Sequence, residues 1–240
     1  MFKYLVVFIL FFSVNSFAQT SRTVTKLDEK TIVKDVDGNV LPHAIWTKLM
    51  QTGVYNLRKA EGADEFVAYQ MNETEKARAA ERKKKQLETM PKPRPSDSFK
   101  EGDKFKGDRF TDMNGNKYDL RALTGKVLVF NFWFINCPPC KQEIPELNRV
   151  YNQYKDNKDV EFLAIALDEK YDLKEFLKTS PFLYNIIPSG NYYSQKYSVN
   201  SYPTHVVVGK DGLIKFSTVG LASNTVHWVE KTIKEQSAIN

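Results

Sequence analysis

Two cysteines, Cys137 and Cys140, stand three residues apart and are the only cysteines in the 240-residue chain. On a helix, that spacing brings their side chains to about 5–6 Å, within the range a disulfide can close. A thiol that opens a helix meets free N–H groups and the positive end of the dipole, which stabilise a thiolate. A thiol one turn deeper is shielded. The pattern suits thiol–disulfide exchange: Cys137 is the accessible nucleophile, and Cys140 resolves the mixed disulfide and expels the reduced product. Two other readings stay open. A purely structural disulfide would close a loop too small to constrain much of the unfolded chain. A zinc pair needs two further ligands, and the three histidines, His43, His205 and His227, form no paired spacing.

The flanking sequence supplies elements that could position such a pair. Lys126 to Phe134 is a nearly continuous apolar run, as expected of a buried central strand. A helix follows, with Cys140, Ile144, Leu147, Val150, Tyr151 and Tyr154 near a 3.6 period. Val160 to Leu167 reads as a second buried strand and Tyr171 to Thr179 as a helix. After an irregular stretch come His205 to Val208 and, past the Asp211-Gly212 turn, Leu213 to Thr218. A last helix starts near Ser223 or Asn224 and buries Val226, Val229 and Ile233. Upstream, Asp112 to Asn116 looks like a hairpin turn. Strand–helix–strand implies a right-handed parallel crossover, and the closing hairpin an antiparallel edge. The fold class is α/β, a mixed sheet with helices on both faces.

Residues 96–240 resemble the thioredoxin superfamily, specifically its exported TlpA/ResA-like branch. The resemblance rests on the strand ending in Phe132-Trp133, the Cys137-Pro138-Pro139-Cys140 motif, the helix-kinking Pro145, and Tyr202-Pro203-Thr204 before a strand. It implies a thioredoxin-like fold and a redox-active Cys137–Cys140 disulfide. It also implies a cis Pro203 beside that disulfide, helping to hold substrate backbone. The implied substrate surface includes Trp133, Asn136, Pro138, Pro139, Tyr202 and Thr204. Thioredoxin's buried Asp, six residues before the first Cys, is replaced by Asn131, and the Trp that many relatives carry before that Cys is Asn136. A carboxylate reappears at Glu143, as in ResA-like proteins. It shares a helix face with Cys140 and is the expected proton acceptor for that thiol.

Pro138 and Pro139 lack N–H groups, so the Cys137 thiolate relies on deeper amides such as that of Cys140. A less stabilised thiolate makes a less oxidising couple, which favours a reductase of protein disulfides. Protein disulfides or dithiols are the expected partners, with a membrane-linked electron donor; no cofactor and no metal are expected. A thioredoxin-fold peroxidase and a non-enzymatic envelope interaction module are the alternatives.

Residues 1–18 carry Lys3, an apolar run from Leu5 to Phe12 and the small residues Ser16 and Ala18. This is the pattern of a secretory signal cleaved after Ala18, with an uncleaved anchor as the alternative. Residues 19–71 read as a small α+β accessory segment. Its helix begins at Pro42, carries Ile45, Trp46, Leu49 and Met50 on one face, and lies between β-prone runs. Residues 72–95 hold +4 of the chain's net charge of +6. They read as a solvated helix opened by Asn72 and Glu75, running into a stiff linker at Pro91, Pro93 and Pro95. The basic run Arg82 to Lys85 has no interleaved aromatic residue to stack on bases, so no nucleic-acid role is assigned.

Overall fold

A computed structural model describes residues 27–62, 64–121 and 125–239. The expected export signal lies outside these residues. The chain divides into two compact units, Met1–Ala80 and Glu81–Asn240.

In the first unit, β1 (Val33–Lys34) and β2 (Val40–Leu41) form a hairpin, followed by α1 (His43–Gln51), β3 (Tyr55–Lys59) and β4 (Phe66–Gln70). Asp35 closes the hairpin by accepting from the Asp37 and Asn39 amides at 2.9 and 2.8 Å. The sheet order is β2-β1-β4-β3, with β1 and β4 parallel. Val33, Trp46 and Ala68 form a small core, joined by Leu41, Met50, Leu57 and Phe66. Ile45, expected on the buried face of α1, is exposed. The division between the units falls within α2 (Glu73–Thr89). A reciprocal cap opens that helix: Asn72 Oδ1 accepts from Glu75 N at 2.9 Å, and Glu75 Oε2 from Asn72 N at 3.0 Å. None of its side chains is buried, which fits its lack of an apolar stripe.

The second unit begins with a short hairpin, β5 (Arg109–Thr111) and β6 (Lys117–Asp119). Then come β7 (Val127–Trp133), α3 (Pro138–Tyr154), β8 (Val160–Ala166), α4 (Lys170–Thr179), β9 (Asn185–Ile187), α5 (Asn191–Lys196), β10 (Thr204–Val208), β11 (Ile214–Val219) and α6 (Thr225–Ser237). The five-stranded sheet has the order β11-β10-β7-β8-β9. The β7–β8 and β8–β9 pairs are parallel; β10 is antiparallel to both β7 and β11. The expected irregular stretch after α4 in fact contains β9 and α5.

Alternation along the strands divides the core. Val127, Val129, Trp133, Phe162, Ala164, Val207 and Phe216 face a layer that includes Ile144 and Leu147 of α3, Leu173 of α4, and Val229 and Ile233 of α6. Leu128, Phe130, Phe132, Leu163, Ile165, Val206 and Val208 face the opposite layer, where Phe99, Phe105, Phe110 and the α5 tyrosines pack.

The stretch expected as a linker is fixed to this unit. The Arg94 carbonyl accepts from Thr218 Oγ1 at 2.8 Å and Val219 N at 3.2 Å, and the Pro91 carbonyl from Asn224 Nδ2 at 2.9 Å. Asn224, expected as a possible cap for α6, makes no side-chain cap bond; its amide is spent on Pro91. Further on, Gly102 N donates to the Ile214 carbonyl, and Ile214 N to that of Asp103.

Candidate active site

The end of β7 delivers the chain to the mouth of α3. Leu167 N donates to the Trp133 carbonyl at 3.1 Å, extending the β7–β8 pairing. Ile135 N then donates to Asp168 Oδ2 at 2.7 Å, and Cys137 N to the Phe134 carbonyl at 3.2 Å. These bonds pin the loop before the cysteines. Cys137 is the N-cap residue of α3, with Pro138 and Pro139 opening the helix. Proline suits that place because its missing N–H would have had no intrahelical acceptor. The amide left facing the cap sulfur is that of Cys140, which donates to Cys137 Sγ at 3.2 Å.

Cys137 and Cys140 form a disulfide, with Cα atoms 5.3 Å apart. The expected contrast in accessibility is absent from this oxidised form, in which Cys137 is 2% and Cys140 3% exposed. What separates the sulfurs is the environment. Cys137 Sγ receives an amide at a helix N-terminus, a donor that would favour its thiolate, whereas Cys140 sits inside the first turn.

The Tyr202–Pro203 bond is cis. Pro203 is buried, and its carbonyl accepts from Gly220 N at 2.8 Å. That oxygen is therefore already engaged within the sheet. Neither the amide nor the carbonyl of Tyr202 has a hydrogen-bond partner among the described residues, so Tyr202 offers the open backbone. Its ring meets Phe134 edge-on, with centroids 5.4 Å apart.

Around the disulfide, Asn136 and Pro138 are exposed, and Pro139 and Tyr202 are partly exposed. Two expected surface residues are not on the surface. Trp133 is fully buried against Phe176 and Phe182, because β7 is covered on both faces and either orientation of the side chain enters the core. Thr204 is buried too, and its hydroxyl donates to the Ser201 carbonyl at 2.8 Å.

Glu143 lies beneath the pair. It is 5% exposed, and its Oε2 is 2.8 Å from His205 Nε2. Its Oε1 is buried with no partner among the described residues. His205, 1% exposed, stands opposite Asn131 in the β7–β10 register. Asn131 Nδ2 is 3.3 Å from ring Nδ1 and 3.4 Å from Nε2. An in-plane group equidistant from both nitrogens would collide with the carbon between them. The amide therefore lies over the ring face. Tyr184 is also buried with its hydroxyl unpartnered; burial, and then the Glu143 charge, push its phenol pKa well up.

His205 belongs to no motif in the sequence, where it stands only as a strand residue and a histidine without paired zinc spacing. Its one sequence signal is a titratable side chain two residues past Pro203, inside an otherwise apolar strand. Asp168, which holds the pre-cysteine loop, was likewise unmarked.

Residues 101–217 match the AhpC/TSA family. A thiol-disulfide oxidoreductase ResA of Bacillus cereus is 36% identical over 112 residues, 46% of this chain and 64% of that protein. The match thus spans just under two thirds of that relative's length. A putative thiol:disulfide interchange protein DsbE from Chlorobium tepidum superposes with a TM-score of 0.51 at 25% identity, covering 57% of this chain and 98% of that one. The second unit has a thioredoxin-like fold and is similar to these thiol-disulfide oxidoreductases. A putative protein disulfide isomerase from Bacteroides thetaiotaomicron shares this fold, with a TM-score of 0.52 at 20% identity, over 60% of this chain and 94% of that one.

Proposed function

We propose that this protein is a thiol–disulfide oxidoreductase of the cell envelope that reduces disulfides in exported proteins. The observation that carries the reading is the Cys137–Cys140 disulfide at the N-terminus of α3, with the Cys140 amide donating to Cys137 Sγ. In the reduced protein, the Cys137 thiolate attacks a substrate disulfide, one substrate sulfur leaves, and a mixed disulfide forms. Cys140 then passes its proton to Glu143 and attacks Cys137 Sγ. The second substrate sulfur leaves as a thiolate, and the protein disulfide reforms. Electrons thus flow from the protein dithiol to the substrate, and a membrane-linked donor is the proposed source that restores them.

Asn136, Pro138, Pro139 and Tyr202 are the proposed docking surface, with the Tyr202 backbone pairing with an extended substrate segment. The reducing direction is supported by Pro138 and Pro139, which withhold two amides from Cys137. The proposed export is supported by residues 1–18. Among the described residues, no helix is long and apolar enough to cross a membrane.

The test is the reduced full-length chain mixed with a disulfide-bonded protein. Cys137→Ala should abolish exchange, and Cys140→Ala should trap a mixed disulfide through Cys137, whose mass names the substrate. Trapping through neither cysteine overturns the reading. Equilibration against glutathione should give a reduction potential below about −220 mV; a value near −120 mV would reverse the direction. The N-terminus of the mature protein should be Gln19, and retention of Met1 would indicate an anchor.

A further inference from the structure

The buried surroundings of Glu143 contain a group that the exchange chemistry above leaves unused. His205 is placed on β10, two residues past the cis proline, and among the described residues its ring nitrogens meet only Glu143 Oε2 and the Asn131 amide. An ionised carboxylate only accepts, so Glu143 fixes the proton of a neutral His205 on Nε2. With Oε2 taken, the carboxylate keeps one free oxygen, the unpartnered Oε1. A buried acceptor without a partner is costly. In the oxidised protein there is no thiol to donate to it; in the mixed disulfide, Cys140 on the preceding turn is a thiol again.

We propose that His205 is a positioning residue for the resolving step. It holds Glu143 by Oε2, so that Oε1 is the oxygen that takes the Cys140 proton. This inference rests on the dithiol exchange proposed above. The proton moves from Cys140 Sγ to Glu143 Oε1, the Cys140–Cys137 bond forms, and the leaving thiolate carries away the electron pair of the broken disulfide. His205 exchanges no electron and gains no bond.

The other groups set against the pair are few. Cys140 shares α3, Tyr184 approaches from the segment before β9, and Asn131 lies over the ring from β7. Thr218 is the register partner on β11, and α6 buries Thr225, Val229, Thr232 and Ile233, none of which titrates in water.

The experiment uses an aromatic disulfide, 5,5′-dithiobis(2-nitrobenzoate), with the reduced full-length protein. Release of the first thionitrobenzoate reports Cys137 attack; release of the second reports resolution by Cys140. Both phases are followed from pH 5 to 9. In His205→Asn the amide nitrogen falls near the place of Nδ1, out of reach of Glu143. In His205→Gln it falls near that of Nε2. The asparagine variant should slow the second phase about tenfold at pH 7, the scale of a lost hydrogen bond to a charged group. The glutamine variant should recover most of the rate, and the first phase should be unchanged in both. His205→Leu should match His205→Asn, and it decides the matter if the asparagine variant does not fold. A second phase identical in wild type and His205→Asn, or equally slowed in Asn and Gln variants, overturns the role of His205 and leaves the exchange reading standing. Absence of the first phase in the wild-type protein overturns both.

Discussion

On one side of the five-stranded sheet, Leu128, Phe130, Phe132, Leu163, Ile165, Val206 and Val208 meet the rings of Phe99, Phe105 and Phe110. The tyrosine tips on that side are satisfied: the Tyr193 and Tyr197 hydroxyls donate to the Arg109 and Lys106 carbonyls at 2.7 and 2.9 Å, and Ser194 Oγ of α5 is the exception, buried without a partner among the described residues. One residue out of phase, the same strands place Asn131 and His205 among Val129, Trp133 and Val207 on the opposite side. There Trp133 Nε1, Tyr184 OH and Glu143 Oε1 are buried without partners among the described residues. The first side spends its residues on packing. The second gives up some packing and some hydrogen bonds to keep titratable groups beneath a disulfide. Unpaired buried groups in a folded chain call for a reason, and here the proposed chemistry supplies one.

Substitutions on the two sides should therefore be read by different instruments. Phe130→Ala on the apolar side should cost about 3–5 kcal/mol of unfolding free energy in a denaturant titration. Exchange per folded molecule should stay near wild type, and a parallel collapse of the exchange rate would break the distinction. Glu143→Gln on the polar side should do the reverse. It should slow the resolving step about a hundredfold, while unfolding free energy changes by less than about 1 kcal/mol, because a neutral amide of the same shape replaces a buried charge.

The hairpin covering the apolar side holds a carboxylate that sharpens the contrast. Asp112 is buried but accepts from Asn114 N, Asn116 N and Asn116 Nδ2 at 2.8–2.9 Å. Burial pushes its pKa up, but the Asn116 side chain and these amides outweigh that and hold it below the ordinary 3.8. A lowered folded value contributes stability above pH 3.8 that fades as the pH falls further. Asp112→Ala should cost about 2 kcal/mol at pH 7, and the difference from wild type should shrink below pH 3.8 in acid-unfolding curves. The smallest effect is expected at Lys231, whose ammonium lies 4.4 Å from the centroid of the Trp228 ring. Lys231→Met should cost under about 1 kcal/mol by thermal melting.

The strands of the second unit were legible because β7 and β8 are buried on both faces, which writes unbroken apolar runs into the sequence. Strand β9 was not. It has three residues and is followed at once by Pro188; pairing with β8 defines it, and no periodicity can. The six-residue α5 was hidden for the same reason. The cysteine pair could be read from spacing alone, and Glu143 and Pro203 from resemblance. His205 could not, since its partner lies 62 residues away and the two meet only when α3 crosses the sheet. Trp133 was misread as surface although the burial of its own strand argued against it.

Strand β11 ends the sheet on one side, and such a strand presents a row of unpaired amides and carbonyls to other chains. In this protein the row is occupied from within. Arg94 takes the Val219 amide, Glu101 Oε1 accepts from Ser217 N at 3.4 Å, Asp103 takes Ile214, and Lys104 bridges to Leu213. The segment from 94 to 104 thus acts as a selvedge that keeps the sheet from being extended by a neighbouring molecule. A chain shortened past Arg94 but short of Phe99 keeps both cysteines and the whole core, yet loses part of its protection against self-association, so solubility fails before the fold does.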